Sequence, residues 1–165
     1  MTSRDVQTGV ASVAVMELMP FVEVEVDVEP TVDVGDTGLG IRRLVPFVRG
    51  SFRGRDGLAG SLTPGGTDWQ RVRSDGVVEI EAHYLLTTDT GASIEVSSIG
   101  VRQASSEVLD RIAAGEPVDP SEYYFRTHVR MYTSDPALRW VNDRLFVGSG
   151  ERRRSNVRIK IFQVP

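Results

Sequence analysis

The chain has 165 residues, 40% of them hydrophobic and 25% charged, which suits one domain with a real core. Its formal net charge of −4 argues against nucleic acid as a partner, since phosphate binding needs a basic face. The absence of cysteine removes disulfides, thiolate catalysis and Cys-based zinc sites together, and fits a reducing cytoplasm.

The first stretch, "MTSRDVQTGVASVAVMELMP", does not read as a signal peptide: Asp5 interrupts its start, and its apolar part is short and mixed with Thr, Ser and Gly. Residues 1–14 read as a flexible extension and residues 15–165 as a single domain. No run approaches the roughly 18 apolar residues of a membrane span, so the expected setting is cytoplasmic, with no membrane contact. "FVEVEVDVEPTVDVG" then alternates strictly. Val22, Val24, Val26 and Val28 share one face, and Glu23, Glu25, Asp27 and Glu29 share the other. Period two means a strand with one wet face. The acidic row reads as a solvated face that discourages edge-to-edge pairing, not as a catalytic cluster.

Strand signals continue at short intervals. "IRRLVPFVRGSF" carries Pro46, which marks an edge or a bulge. "LAGSLT" and "DWQRVR" follow; "SDG" turns into "VVEIEAHYLLTT", and "DTG" turns that into "ASIEVSSIGVR". Asp and Gly at such turns allow the positive φ of tight hairpins. One helix breaks the pattern. In "SSEVLDRIAAGEP", Val108, Leu109, Ile112 and Ala113 share a face, Ser105 or Ser106 caps the start, and Gly115 ends it. Then come "YYFRTHVRMYT", a helical turn near "SDPALRWVN", "RLFVGSG" and "NVRIKIFQV". Arg152, Arg153 and Arg154 between the last two read as a solvated turn.

Eight or nine strands with one short helix leave too few crossovers for parallel pairing. The expected fold is all-β: a single antiparallel β-barrel of about eight strands, lipocalin-like (calycin-like) in outline. Alternation sorts its inward polar groups. Asp68 and Gln70 share a face with Val72, Tyr84 follows Ala82, Ser98 follows Val96, and Tyr123 and Thr127 flank Phe125. A few polar groups in an apolar cavity are the usual form of a small-molecule site. A one-residue bulge at Gly65–Gly66 would reverse these faces and bring Trp69 inside. No dinucleotide, P-loop, zincin or nucleophile-elbow motif occurs. A site on Glu81, His83 and His128 is disfavoured because both histidines fall on the wetter faces. No metal and no cofactor is expected.

Four segments, "RRLVPFVRGSFRG", "GLAGSLTPGGTDWQRVRSDGVVEIEAHYLLTTDTGASIEV", "AAGEPVDPSEYYFRT" and "WVNDRLFVGSGERR", together resemble one family, domain of unknown function three-two-three-seven. The resemblance runs from about residue 18 to the end. It implies a small antiparallel barrel with a central cavity, often oligomeric, so that a homo-oligomer, a dimer first, is expected. Asp68, Trp69, Gln70, Tyr84, Phe125, Arg126, Trp140 and Asn142 match its pattern. Glu81, His83, Glu95 and Ser98 stand where it has Asp, Arg, Tyr and Asn.

The expected function is small-molecule binding with cofactor-free acid–base catalysis, of isomerase, dehydratase or cyclase type, on a largely apolar metabolite. Asp68 would be the acid or base, Tyr84 would polarise a carbonyl, and Arg126 would take a carboxylate if it lies at the mouth. Trp69, Gln70, Ser98, Tyr123, Phe125, Thr127, Trp140 and Asn142 would hold the ligand. The alternative is a carrier or sensor of a hydrophobic small molecule without catalysis.

Overall fold

The computed structural model describes residues 16–165; the expected extension over residues 1–14 lies outside them. The valine row of "FVEVEVDV" forms β1 (Met19–Val28). Val24 is fully buried and Val26 nearly so, as strict alternation requires. The continuation past Pro30 becomes a separate short strand, β2 (Val32–Asp36). It is followed by β3 (Ile41–Gly54), β4 (Ala59–Val72), β5 (Val78–Thr88) and β6 (Ser93–Gln103). Helix α1 (Ser106–Ala114) precedes β7 (Tyr124–Thr133), β8 (Phe146–Arg152) and β9 (Asn156–Gln163).

Every neighbouring pair is antiparallel, in the order β1-β9-β8-β7-β6-β5-β4-β3, and β1 pairs with β3 to close the ring. The result is a closed eight-stranded antiparallel barrel with one α-helix; β2 is added outside the ring, against the first half of β3. Closure changes the meaning of the acidic row on β1. This strand has no free edge, and its carboxylates pair with arginines of its two neighbours. Arg49 on β3 donates to Asp27 at 2.8 Å, and Arg158 on β9 binds Glu25.

"LAGSLT" and "DWQRVR" are one strand, not two. Across Pro64, Gly65 and Gly66, β4 advances from Thr63 to Thr67 while its partner β5 moves only from Leu85 to His83. Two extra residues are absorbed, an even number, so the faces keep their parity and Asp68 points inward like Leu62. The chemistry of the two glycines explains why they stand here. Gly65 takes φ +106°, a conformation open mainly to glycine. A Cβ on Gly66 would lie 2.6 Å from the Tyr84 Cβ and 2.9 Å from the Phe47 ring. Pro46 likewise marks a register break, between β3 and β4.

Helix α1 ends as its caps dictate. The Ser105 hydroxyl accepts from Val108 N at 3.3 Å, and Gly115 closes the helix at φ +78°. Its apolar face, Val108 and Ile112, packs with Val78, Ile80, Val118, Tyr123 and Phe125. This second core lies over one end of the barrel. The other end is filled by the main core, with Phe21, Trp140 and Phe146 in mutual ring contact at 5.2–6.1 Å. Among the described residues no helix is long and apolar enough to cross a membrane.

Candidate functional site: a half-satisfied carboxylate beneath an arginine-lined mouth

Register stacks the interior into layers. Asp68 lies opposite Ala82, which lies opposite Ser98. One layer nearer the helix are Gln70, Ile80, Gly100 and Thr127; the next holds Val72, Val78, Arg102 and Phe125. Gly148, opposite Thr127 on β8, leaves this part of the interior open. The space is a cavity of about 40 Å³, lined among others by Phe47, Asp68, Tyr84, Ser98, Thr127 and Arg152. That is room for no more than a few waters. Val45, Gln70, Arg102 and Arg152 also line a second, outer bowl of about 380 Å³ beneath α1. A larger depression of about 670 Å³ lies on the outside beside Arg71, Arg73 and Glu79, where those charges pair with one another.

Asp68 is 8% exposed. Gln70 Nε2 donates to its Oδ2 at 2.5 Å, and Gln70 Oε1 accepts from Arg43 Nε at 2.9 Å. This relay fixes the amide and holds the carboxylate. The other oxygen, Oδ1, is buried with no hydrogen-bond partner, as are Thr127 Oγ1 and Arg102 Nε. Burial raises the Asp68 carboxyl from its ordinary 3.8 to about 6, against the opposing effects of the Gln70 hydrogen bond, the Arg102 charge and the nearby Glu81 backbone N–H, which lies outside hydrogen-bond geometry with Oδ1. Tyr84, one inward step along β5 from Ala82, has its phenol pushed far up by burial. It stays protonated and can only donate or accept a hydrogen bond. Its ring packs against Phe47 at 5.6 Å. A buried base with an uncommitted oxygen, a buried phenol and two hydroxyls therefore face one small space.

Of the expected site residues, Asp68, Tyr84, Gln70, Ser98, Phe125 and Thr127 line this cavity. The others do not reach it. Arg126 is on the outer face of β7, where it stacks on Tyr124 at 5.3 Å and donates to the Phe125 carbonyl. It alternates with Phe125 and Thr127, so it cannot point inward with them. Trp69 is 38% exposed on the outer face of β4, with Arg42 over its ring at 5.2 Å; the even bulge keeps it outside. Trp140 belongs to the aromatic plug at the far end. Asn142 ties that turn to β7 by accepting from Thr133 N and donating to the Thr133 carbonyl. Tyr123 is buried beneath α1, its hydroxyl accepting from Arg152 N at 3.0 Å. His83 pairs with Glu95 at 2.9 Å on the exterior, and among the described residues no three potential ligands form a metal site.

Three interior arginines were missed. Arg102 continues the Ser98–Gly100 face, Arg43 precedes Val45 on the same face of β3, and Arg152 continues Phe146–Gly148–Gly150. Plain alternation could have found all three. Arg152 is not part of a solvated turn: it lines both the cavity and the bowl.

Solved structures share this architecture. The crystal structure of the conserved protein of unknown function RPA1785 from Rhodopseudomonas palustris superposes at TM-score 0.89, with 34% identity, 93% of this chain and 100% of that chain covered. In sequence, UPF0311 protein RPA1785 is 40% identical over 130 residues, which are 79% of this chain and 84% of the relative. A beta-barrel like protein from Acinetobacter baumannii matches at TM-score 0.80 and 35% identity over 93% and 99% of the two chains. An enzyme from Penicillium herquei superposes at TM-score 0.69 over 94% and 100%, but at 19% identity that likeness is one of fold alone. The family model described as protein of unknown function (DUF3237) matches residues 16–164, so the sequence resemblance and the barrel agree: the chain belongs to the DUF3237 family.

Proposed function

We propose that this barrel binds a small molecule and moves a proton on it without a cofactor, with Asp68 as the base. The observation that carries the reading is the Asp68 carboxylate: buried, held at Oδ2 by Gln70, and uncommitted at Oδ1. A carboxyl with a pKa near 6 is mostly ionised at pH 7 and still basic enough to accept a carbon-bound proton, the balance that general-base catalysis favours.

The size of the cavity limits what enters. At about 40 Å³ it admits a carbonyl group or a similar small end, while the body of the ligand occupies the outer bowl. Asp68 Oδ1 takes a proton from the carbon beside the carbonyl. The C–H electron pair moves to the carbonyl oxygen, and the Tyr84 hydroxyl donates a hydrogen bond to the resulting enolate. Returning the proton from the Asp68 carboxylic acid to another carbon gives an isomer; giving it instead to a β-hydroxyl that leaves as water gives a dehydration; and attack of the enolate carbon on a second carbonyl of the same molecule, whose oxygen takes up the proton, gives a ring.

The test is solvent exchange. A panel of enolisable carbonyl compounds is incubated in D₂O and α-deuteration is followed by NMR. The reading expects exchange with wild type, a loss of about 10²-fold or more in Asp68→Asn, and a loss of about 10²-fold in Tyr84→Phe. Ligand binding that is equal in wild type and Asp68→Asn, with no exchange in either, would make the barrel a carrier.

A further inference from the structure

We propose that the outer bowl takes the carboxylate of a small organic acid between Arg102 and Arg152, with Arg43 at its side. This rests on reading the cavity and bowl as a small-molecule site, but not on that site being catalytic.

Among the described residues, the exterior arginines Arg49, Arg71, Arg73, Arg111, Arg153 and Arg158 each pair with a carboxylate, while Arg53, Arg126, Arg139 and Arg144 form no ion pair but stand exposed to water; what sets the bowl apart is unpaired guanidinium in a half-enclosed space. Among the described residues, Arg43, Arg102, Arg152 and Arg154, which line the bowl, form no ion pair. Arg43 spends its Nε on the Gln70 amide. Arg152 reaches only the Arg154 carbonyl, at 3.5 Å. Arg102 is 7% exposed and its buried Nε has no partner. Burial, with the Arg152 and Arg43 charges beside it, pushes the Arg102 guanidinium down to about 10, so it is still charged at neutral pH.

The carboxylates facing this group are few: Asp68 below, held by Gln70, Asp33 on β2 opposite Arg43, and Asp110 at the exposed rim on α1. Positive charge is thus in excess in a half-enclosed space, with unmet hydrogen-bond donors. A guanidinium fork matches a carboxylate's two oxygens, and such pairs gain most where water is excluded. The remaining walls include Val72, Val78, Leu109 and Ile112. They suit an apolar body and offer little to a sugar or a polyphosphate. Arg102 and Asp68 stand opposite Val78 and Ala82. These backbone positions are four residues apart on one strand, or ~13 Å, so an acid of several carbons lets its carboxylate meet Arg102 while its other end approaches Asp68.

The experiment measures binding of benzoate, cinnamate and 4-oxopentanoate by calorimetry, each against its neutral primary amide. Arginine Nε–H resonances report where they sit. At least one acid should bind and shift the Arg102 signal, with its amide about ten-fold weaker or worse. Arg102→Met and Arg152→Met should each lose about ten-fold or more, and Arg53→Met, on the outer face of β3, should lose nothing. Melting curves confirm that each variant is folded, and Arg152, being less buried, covers the case in which Arg102→Met fails to fold. The proposal is overturned if no acid binds, if amides bind as well as acids, or if both folded arginine variants bind like wild type. Asp68→Asn separates the two readings. Retained acid binding without proton exchange leaves the bowl assignment standing and removes the catalytic one. Exchange on neutral carbonyls without acid binding does the reverse.

Discussion

Ionised Asp68 works against the fold. Its carboxyl is raised from 3.8 to about 6, so between those values the folded state binds a proton that the unfolded state has released. Through this group, stability rises as pH falls from 7 towards 4. Above pH 6 the buried charge costs roughly 3 kcal/mol, at about 1.4 kcal/mol per tenfold in proton affinity. Asp68→Asn should therefore raise the melting temperature at pH 8, by up to the equivalent of about 2–3 kcal/mol, and leave it nearly unchanged at pH 4. Thermal unfolding at the two pH values checks this. The catalytic reading adds that the exchange rate climbs with pH through about 6 and then levels, because the base must be ionised. Arg102 argues similarly: a buried cation without an ion-pair partner costs stability. Arg102→Met should stabilise the ligand-free protein by on the order of 1 kcal/mol or more, measurable by denaturant titration.

At the scale of elements, β4 decides whether there is a site at all. Its two-residue bulge keeps Asp68 and Gln70 inside and Trp69 out. Gly66→Ala puts a methyl 2.6 Å from the Tyr84 Cβ. It should cost about 1–3 kcal/mol as overpacking and displace Tyr84 from the cavity wall, visible as lost stability and as shifted Tyr84 resonances. Alternation and turn chemistry made most strands readable, and the cap signals made α1 readable to within a residue: Gly115 marks its end, and of the two candidate caps, Ser105 and Ser106, the structure uses Ser105. The bulge's parity was not readable, because Pro64, Gly65 and Gly66 permit one extra residue as well as two. Only the pairing with β5 chooses between them. Helix α1 is also the roof of the bowl. Ser105→Ala removes its cap and should cost about 1 kcal/mol, with faster amide exchange over α1.

The whole molecule is a barrel plugged at one end and open beneath a helix at the other. That asymmetry explains where sequence reasoning stopped. Trp140 and Asn142 were drawn to the site by family resemblance alone, and nothing local says that their turn closes the opposite end. Arg126 sits one residue from Phe125 and Thr127, and strand period two sends it outside. Arg43, Arg102 and Arg152 occupy inward positions, yet an arginine there runs against the expectation that charged groups face water. It becomes intelligible only when the ring closes and the three meet at one mouth.

The most direct measurement is the titration of the Asp68 carboxyl itself, followed by the ¹³C shift of its Cγ from pH 3 to pH 9. A buried carboxylate held by Gln70 and free at Oδ1 predicts a midpoint near 6, moving downward if Gln70→Leu admits water and upward if the cavity stays dry. A midpoint near the ordinary 3.8 would mean a solvated or fully paired carboxylate, and it would contradict the account of Asp68 as a poised base.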